Sequence, residues 1–245
     1  MLERFAPKAL AEQGNPAELA APVSARMLVA EATGTGVLTF LVVAAGILSE
    51  RYAGGNIALA ILTTALAAAA GFAALARAFA GLAPSLFNPG FAFALALSGR
   101  LPLIGALLAG AAQMAAACAG VMIAHMVTNT GRVQVATQIQ TGLPVWLGEF
   151  IAGALVIFVL LRLAATTSRA VPLFGGLALL AAALATPSLS LANPAISLAR
   201  GLTDSFTSIR LEDAGLIVAC QLAGALAATL VSIWLFPAAR DQLPR

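Results

Sequence analysis

The chain has 245 residues, of which 61% are hydrophobic and 9% charged, with a formal net charge of +3. A soluble domain carries nearer a quarter charged residues, so the composition excludes a water-soluble globule and points to a helical membrane protein. Ten-residue strands of alternating hydrophobicity, the mark of an outer-membrane barrel, are absent from the sequence, and no basic stripe interleaved with aromatics supports nucleic-acid binding.

Residues 1–26 are polar and mixed in charge. Without an apolar h-region they read as a cytoplasmic tail and not as a cleavable signal peptide. Apolar runs follow at 27–48, 57–79, 102–127, 145–165, 171–185 and 214–236, and a short polar tail occupies 237–245. The fifth run is short for a span and is expected to extend at its ends. Two stretches break the pattern: Phe87-Asn88-Pro89-Gly90-Phe91 and Ala192-Asn193-Pro194-Ala195-Ile196. Asn is a favoured N-cap because its side-chain oxygen accepts from a free N–H of the first turn. Pro suits the first helical position, where its missing N–H costs nothing. Gly99 and Gly201 offer stops. Two helices of about ten residues, about 15 Å each, are therefore predicted; only end to end would they cover the ~30 Å of hydrocarbon.

The halves repeat. Glu31, Asn88 and Gln113 recur in order and at similar spacing as Glu149, Asn193 and Gln221. With three spans per half, 27–127 and 145–236 enter the bilayer from opposite sides, an inverted repeat whose functional site is expected at the midplane. The predicted fold is all-α, six transmembrane helices plus two re-entrant half-helices in a 3+3 inverted repeat over 27–236. With the N-terminus inside, Arg4, Lys8, Arg26, Arg77, Arg100, Arg162, Arg169, Arg240 and Arg245 fall on the cytoplasmic side. Arg51, Arg132, Arg200 and Arg210 fall outside. This asymmetry agrees with the positive-inside rule and places both termini in the cytoplasm of a cell (plasma or inner) membrane.

Non-helical backbone at membrane depth persists only where protein buries it or water solvates it. Two half-helices dipping in from opposite faces thus imply a solvated path. Their N-termini would meet near the middle, each with a positive dipole end of about half a charge. A cation or hopping proton meets a barrier there; a neutral molecule does not. The amides of Asn88 and Asn193 are placed to meet a passing hydroxyl.

Two Asn-Pro-Ala-like motifs in a six-span inverted repeat resemble the major intrinsic protein (aquaporin and aquaglyceroporin) family. Ala30-Glu31-Ala32-Thr33-Gly34-Thr35 and Ala112-Gln113 are similar to further family patterns. The resemblance implies a passive channel for small uncharged solutes, assembled as a homotetramer in the lipid bilayer with one pore per subunit, with Asn88, Pro89, Gly90, Asn193, Pro194 and Ala195 at its centre. Cofactors and metals are not implied.

The departures concern selectivity. Gly90 stands in place of the family's Ala, and Ser85-Leu86-Phe87 in place of its His-containing lead-in. Ile196 follows the second motif where water-selective and glycerol-type relatives usually carry Arg. Counting back without gaps, the other filter positions fall on Ala68, Ala181 and Ser190, with Phe72 as the alternative to Ala68 on the same run. This set is small and mostly apolar and predicts a wide, greasy constriction. Glycerol-like polyols, urea, neutral metalloid hydroxides such as arsenous acid, and water are the candidate solutes.

Glu31 and Glu149 are the acids well inside spans. The favoured reading is support: each accepts from backbone N–H groups of a re-entrant segment that otherwise lack partners, with Gln113 and Gln221 bridging. The alternative is a proton-coupled transporter using these two acids on the same repeat. Arg200 either pairs with Asp204 one turn away, or snorkels outward, or reaches the outer vestibule and partly replaces the missing filter Arg. Gly110, Gly120 and Gly153 are read as close helix contacts. Cys118 and Cys220 read as small buried hydrophobes, and the lone His125 lacks a metal-ligating cluster. Without a nucleophile–base set or phosphate loop, an enzyme is not expected.

Overall fold

The structure is a computed structural model that describes residues 23–131, 133–166 and 168–236. The tails at 1–22 and 237–245, with Arg4, Lys8, Arg240 and Arg245, and also Arg132, lie outside the described residues. Among the described residues eight α-helices follow in order: α1 (Ala25–Tyr52), α2 (Ile57–Ala78), α3 (Pro89–Leu97), α4 (Leu103–Thr128), α5 (Leu143–Thr166), α6 (Val171–Ala185), α7 (Pro194–Ala199) and α8 (Leu211–Leu235). Helices α1, α2, α4, α5 and α8 are long and apolar enough to cross a membrane. The 15 residues of α6 rise about 22 Å. A 3-10 turn at Ser168–Ala170 precedes them and brings the segment close to the ~30 Å needed.

Local chemistry sets several ends. Ser24 and Asn56 cap α1 and α2 by accepting from Met27 N–H (3.2 Å) and Leu59 N–H (3.1 Å). Asn129, left-handed at φ 51°, ends α4. The second half-helix is shorter than expected. Six residues of α7 give way to a 3-10 turn at Arg200–Leu202, where the Arg200 side chain is drawn back onto the chain before the motif.

The packing repeats as the sequence does. Helix α1 lies on α4 as α5 lies on α8; α3 packs on α4 and α8 as α7 packs on α8 and α4; and α2 meets α6 across the pseudo-twofold. Glycines set the close crossings. A Cβ on Gly120 would lie 2.3 Å from the Gly36 carbonyl, one on Gly153 2.6 Å from the Gln221 carbonyl, and one on Gly176 2.8 Å from the Ala69 carbonyl. Gly110 does not behave this way: its nearest neighbour would be Pro89 Cβ at 3.9 Å, an ordinary contact. Polar surface separates by face. Arg26, Arg77, Arg100, Arg162 and Arg169 belong to the face where α1 begins. Among the described residues, every acid except Glu31 and Glu149 belongs to the opposite face, namely Glu50, Asp204, Glu212 and Asp213.

Candidate functional site

The two motifs are joined side to side. Asn88 Oδ1 accepts from Gly90 N–H (2.8 Å) and Phe91 N–H (3.4 Å), capping α3. Asn193 Oδ1 accepts from Ala195 N–H (3.1 Å) and Ile196 N–H (3.3 Å), capping α7. Each amide nitrogen then crosses to the other half: Asn88 Nδ2 donates to the Ala192 carbonyl and Asn193 Nδ2 to the Phe87 carbonyl, both at 2.9 Å. The acceptors sit on left-handed backbone, with Phe87 at φ 63° and Ala192 at φ 50°. Such a conformation costs an L-residue about 1–2 kcal/mol and persists because the surroundings over-determine it. Phe87 illustrates this. Its N–H donates to Glu31 Oε2 (2.8 Å), its carbonyl also accepts from Thr35 Oγ1 (3.3 Å), and its ring is fully buried. Gly90 brings α3 against α7; a Cβ there would stand 3.1 Å from Asn88 Oδ1 and 3.6 Å from Pro194 Cδ.

The two glutamates support these lead-ins by different means. Glu31 accepts from the backbone N–H groups of Ser85 (2.6 Å) and Phe87 and from Gln113 Nε2 (2.8 Å). Glu149 has side-chain donors instead, the hydroxyls of Ser188 and Ser190 (both 2.5 Å) and Gln221 Nε2 (2.8 Å). Backbone donation, expected for both acids, is seen only at Glu31, because serines at 188 and 190 supply hydroxyls within reach of Glu149. Neither carboxylate borders the cavities described next.

Two cavities lie along the axis between the halves. The larger, about 480 Å³, opens at the acidic face and is lined by Glu50, Asn56, Gln138, Gln140, Thr186 and Ser188 together with apolar side chains. The smaller, about 10 Å³, holds Asn88 and Asn193 against Leu38, Ala68, Phe72, Leu160, Leu179 and Ile196, with Leu86, Val156 and Leu191 completing the wall. That is room for about one water. The predicted constriction is apolar, but it is narrow, because α1, α5 and α6 contribute bulky side chains that no motif flags.

The structure sorts the four counted positions. Ala68 and Ile196 face the small cavity, and so does Phe72, one turn from Ala68. Ala181 does not; it is exposed on α6, whose cavity-facing residues are Leu179, Ala183 and Leu184. A two-residue error of register turns a helical side chain about 200°, which corrects the gapless count. Ser190 is buried beneath the lumen wall, tied to Glu149.

Arg200 neither pairs with Asp204 nor reaches outward. It is 1% exposed and forms no ion pair with Asp204. Asp204 instead accepts from Thr137 N–H (3.0 Å) and Oγ1 (2.9 Å). The guanidinium donates to three carbonyls: Ser188 (2.8 Å), Leu189 (3.4 Å) and Thr207. It thus staples the segment before α7 to the segment after it. Part of the long polar connection, residues 134–138, lies against this region. Gln134 and Ala136 N–H donate to the Leu202 and Gly201 carbonyls (3.1 and 3.2 Å), and Arg210 N–H donates to the Gln138 carbonyl (3.0 Å). Gln138 and Gln140 reach the large cavity this way; their alternation in a polar connection was the available signal. His125 is buried with Nε2 2.9 Å from Thr203 Oγ1. Cys118 and Cys220 are free and half-buried. Among the described residues no group of His, Cys, Asp and Glu could hold a metal ion.

The sequence profile of the major intrinsic protein family matches residues 18–189. The chain is 35% identical over 215 residues to aquaglyceroporin AqpS of Rhizobium meliloti (strain 1021), covering 88% of this chain and 92% of that protein. Its fold is similar to the X-ray structure of the aquaglyceroporin from Plasmodium falciparum, with a TM-score of 0.61, 18% identity, and coverage of 84% of this chain and 93% of that one.

Proposed function

This chain belongs to the major intrinsic protein family and is a membrane channel for small neutral solutes, and we propose that its cargo is small hydroxylated or amide-bearing molecules: glycerol-like polyols, urea and neutral metalloid hydroxides. The observation that carries this reading is the pair of cross-braced motifs facing one apolar lumen. A carboxamide nitrogen bears two hydrogens. Each Asn therefore keeps one beyond its cross-brace for a solute oxygen, while the surrounding leucines and Phe72 offer a carbon skeleton an apolar wall. Two helix N-termini and a dry wall oppose ions and protons. The description of the 35% identical relative as an aquaglyceroporin supports the glycerol class.

The arginine-rich face is assigned to the cytoplasm of the plasma or inner membrane by the positive-inside rule, which puts the large cavity outside. A homotetramer is the assembly proposed, from the family resemblance. A proton-coupled mechanism finds less support, because both intramembrane carboxylates are occupied as acceptors away from the lumen.

Stopped-flow swelling of vesicles holding the protein, under water, glycerol, urea and arsenite gradients, tests the proposal. Flux above that of protein-free vesicles, unchanged by collapsing the proton gradient, is the expected result. Ile196→Arg should suppress the larger solutes, since the added side chain enters a cavity that holds about one water. Uptake that requires a proton gradient, or no flux for any uncharged solute, overturns the channel reading.

A further inference from the structure

Phe72 is the aromatic residue lining the narrow cavity. It lies four residues past Ala68, on the α2 face that meets α6. At that crossing the backbones nearly touch, since a Cβ on Gly176 would fall 2.8 Å from the Ala69 carbonyl. One residue before it, Gly175 leaves a recess. A Cβ there would stand 2.5 Å from Phe72 Cε1 and 2.9 Å from Leu160 Cδ2, and Phe72 and Leu160 both line the lumen. The ring edge therefore lies in space that a side chain at 175 would take. With the α2–α6 contact closed beside it, the space left for a displaced ring is the lumen itself.

We infer that the Phe72 ring, seated in the recess left by Gly175, sets the size limit of the pathway, ahead of the position after the second motif. Ile196 forms one wall; Phe72 is the larger group, and its place depends on a neighbour that carries no side chain. The depth of the recess decides how much solute passes. The inference rests on the channel reading given above and deepens it by naming what determines solute size.

The test compares fluxes of water, glycerol and a four-carbon polyol through reconstituted wild type, Phe72→Ala, Phe72→Leu and Gly175→Ala. Flux ratios are read because they are independent of how many channels fold. Phe72→Ala should raise the ratio of four-carbon polyol to glycerol by about tenfold, as expected when a pocket changes by a few carbons. Phe72→Leu should fall between it and wild type. Gly175→Ala should lower the ratio of glycerol to water by about the same factor. A purely structural role would change the amount of folded protein and leave both ratios alone. Unchanged ratios in folded Phe72 variants of a conducting protein overturn the inference, whether or not Gly175→Ala folds. A wild type that conducts no uncharged solute overturns the channel reading instead.

Discussion

Asn193 donates its side-chain amide to the Phe87 carbonyl, across 106 positions of sequence and from one half of the repeat to the other. The same Asn caps its own helix through Oδ1, so one side chain holds both the start of α7 and its register against α3. Asn193→Ala removes a cap, about 1 kcal/mol, and a buried hydrogen bond, about another 1 kcal/mol. The expected loss is about 2 kcal/mol, read from unfolding in mixed micelles. Asn193→Asp retains the cap but sets a carboxylate against a carbonyl, so it should not restore wild-type stability. Full stability in the Asp variant would show that the cross-brace contributes nothing.

Gly34 and Gly110 make a paired test of the packing. A Cβ on Gly34 would fall 2.0 Å from the Phe87 ring, whereas Gly110 has space. Gly34→Ala should cost about 1–3 kcal/mol from overpacking, in a place where Phe87 cannot retreat because its backbone is bound on both sides. Gly110→Ala should be neutral or stabilise by up to about 1 kcal/mol from helix propensity. Thermal unfolding in detergent distinguishes the two, and equal effects would contradict the placement of α1 against the first motif.

What the sequence made legible was what local chemistry decides. The Asn-Pro pairs announce their own caps, hydropathy locates the spans, and the recurrence of Glu, Asn and Gln gives the inverted repeat. The lumen was harder. Ala181 sits in an alanine run with no register mark, so a short error turned it off the cavity. Part of the narrowness comes from Leu38, Leu160 and Leu179, which look like any other leucine in a span. The place of Arg200 is not legible, because the sequence shows Asp204 one turn away and cannot show three carbonyls brought to it by the loops at 188–189 and 207.

The difference between the two glutamate sites predicts unequal tolerance to serine loss. Glu149 depends on hydroxyls for two of its three donors, so Ser188→Ala with Ser190→Ala leaves it with Gln221 alone. Hydrogen bonds to a charged group are worth about 1.5–3 kcal/mol each, so the double variant should lose about 3 kcal/mol or more. Ser85→Ala should cost about 1 kcal/mol, because the backbone N–H groups of Ser85 and Phe87 still face Glu31. Unfolding curves for the two variants, taken side by side, check this, and equal losses would refute the asymmetry.

Arg200 and Asp204 separate a buried staple from a surface pair. Lysine at 200 keeps the charge but brings one nitrogen to a site where Nε and both terminal nitrogens each meet a carbonyl. Arg200→Lys should therefore lose about 3 kcal/mol, the value of one or two charge-assisted hydrogen bonds. Arg200→Met leaves the three carbonyls unpaired but also removes a buried charge, so it should be no worse than the lysine variant. Asp204→Ala touches an exposed carboxylate bound to Thr137 and should shift stability by less than about 1 kcal/mol. Because Ser188 and Leu189 line the large cavity, the Arg200 variants should also slow glycerol flux per folded channel, while Asp204→Ala should not. Melting temperatures and flux per channel, measured on the same preparations, decide it: wild-type behaviour in Arg200→Lys, or a deficit in Asp204→Ala that matches it, would return Arg200 to the surface pairing that its sequence spacing suggests.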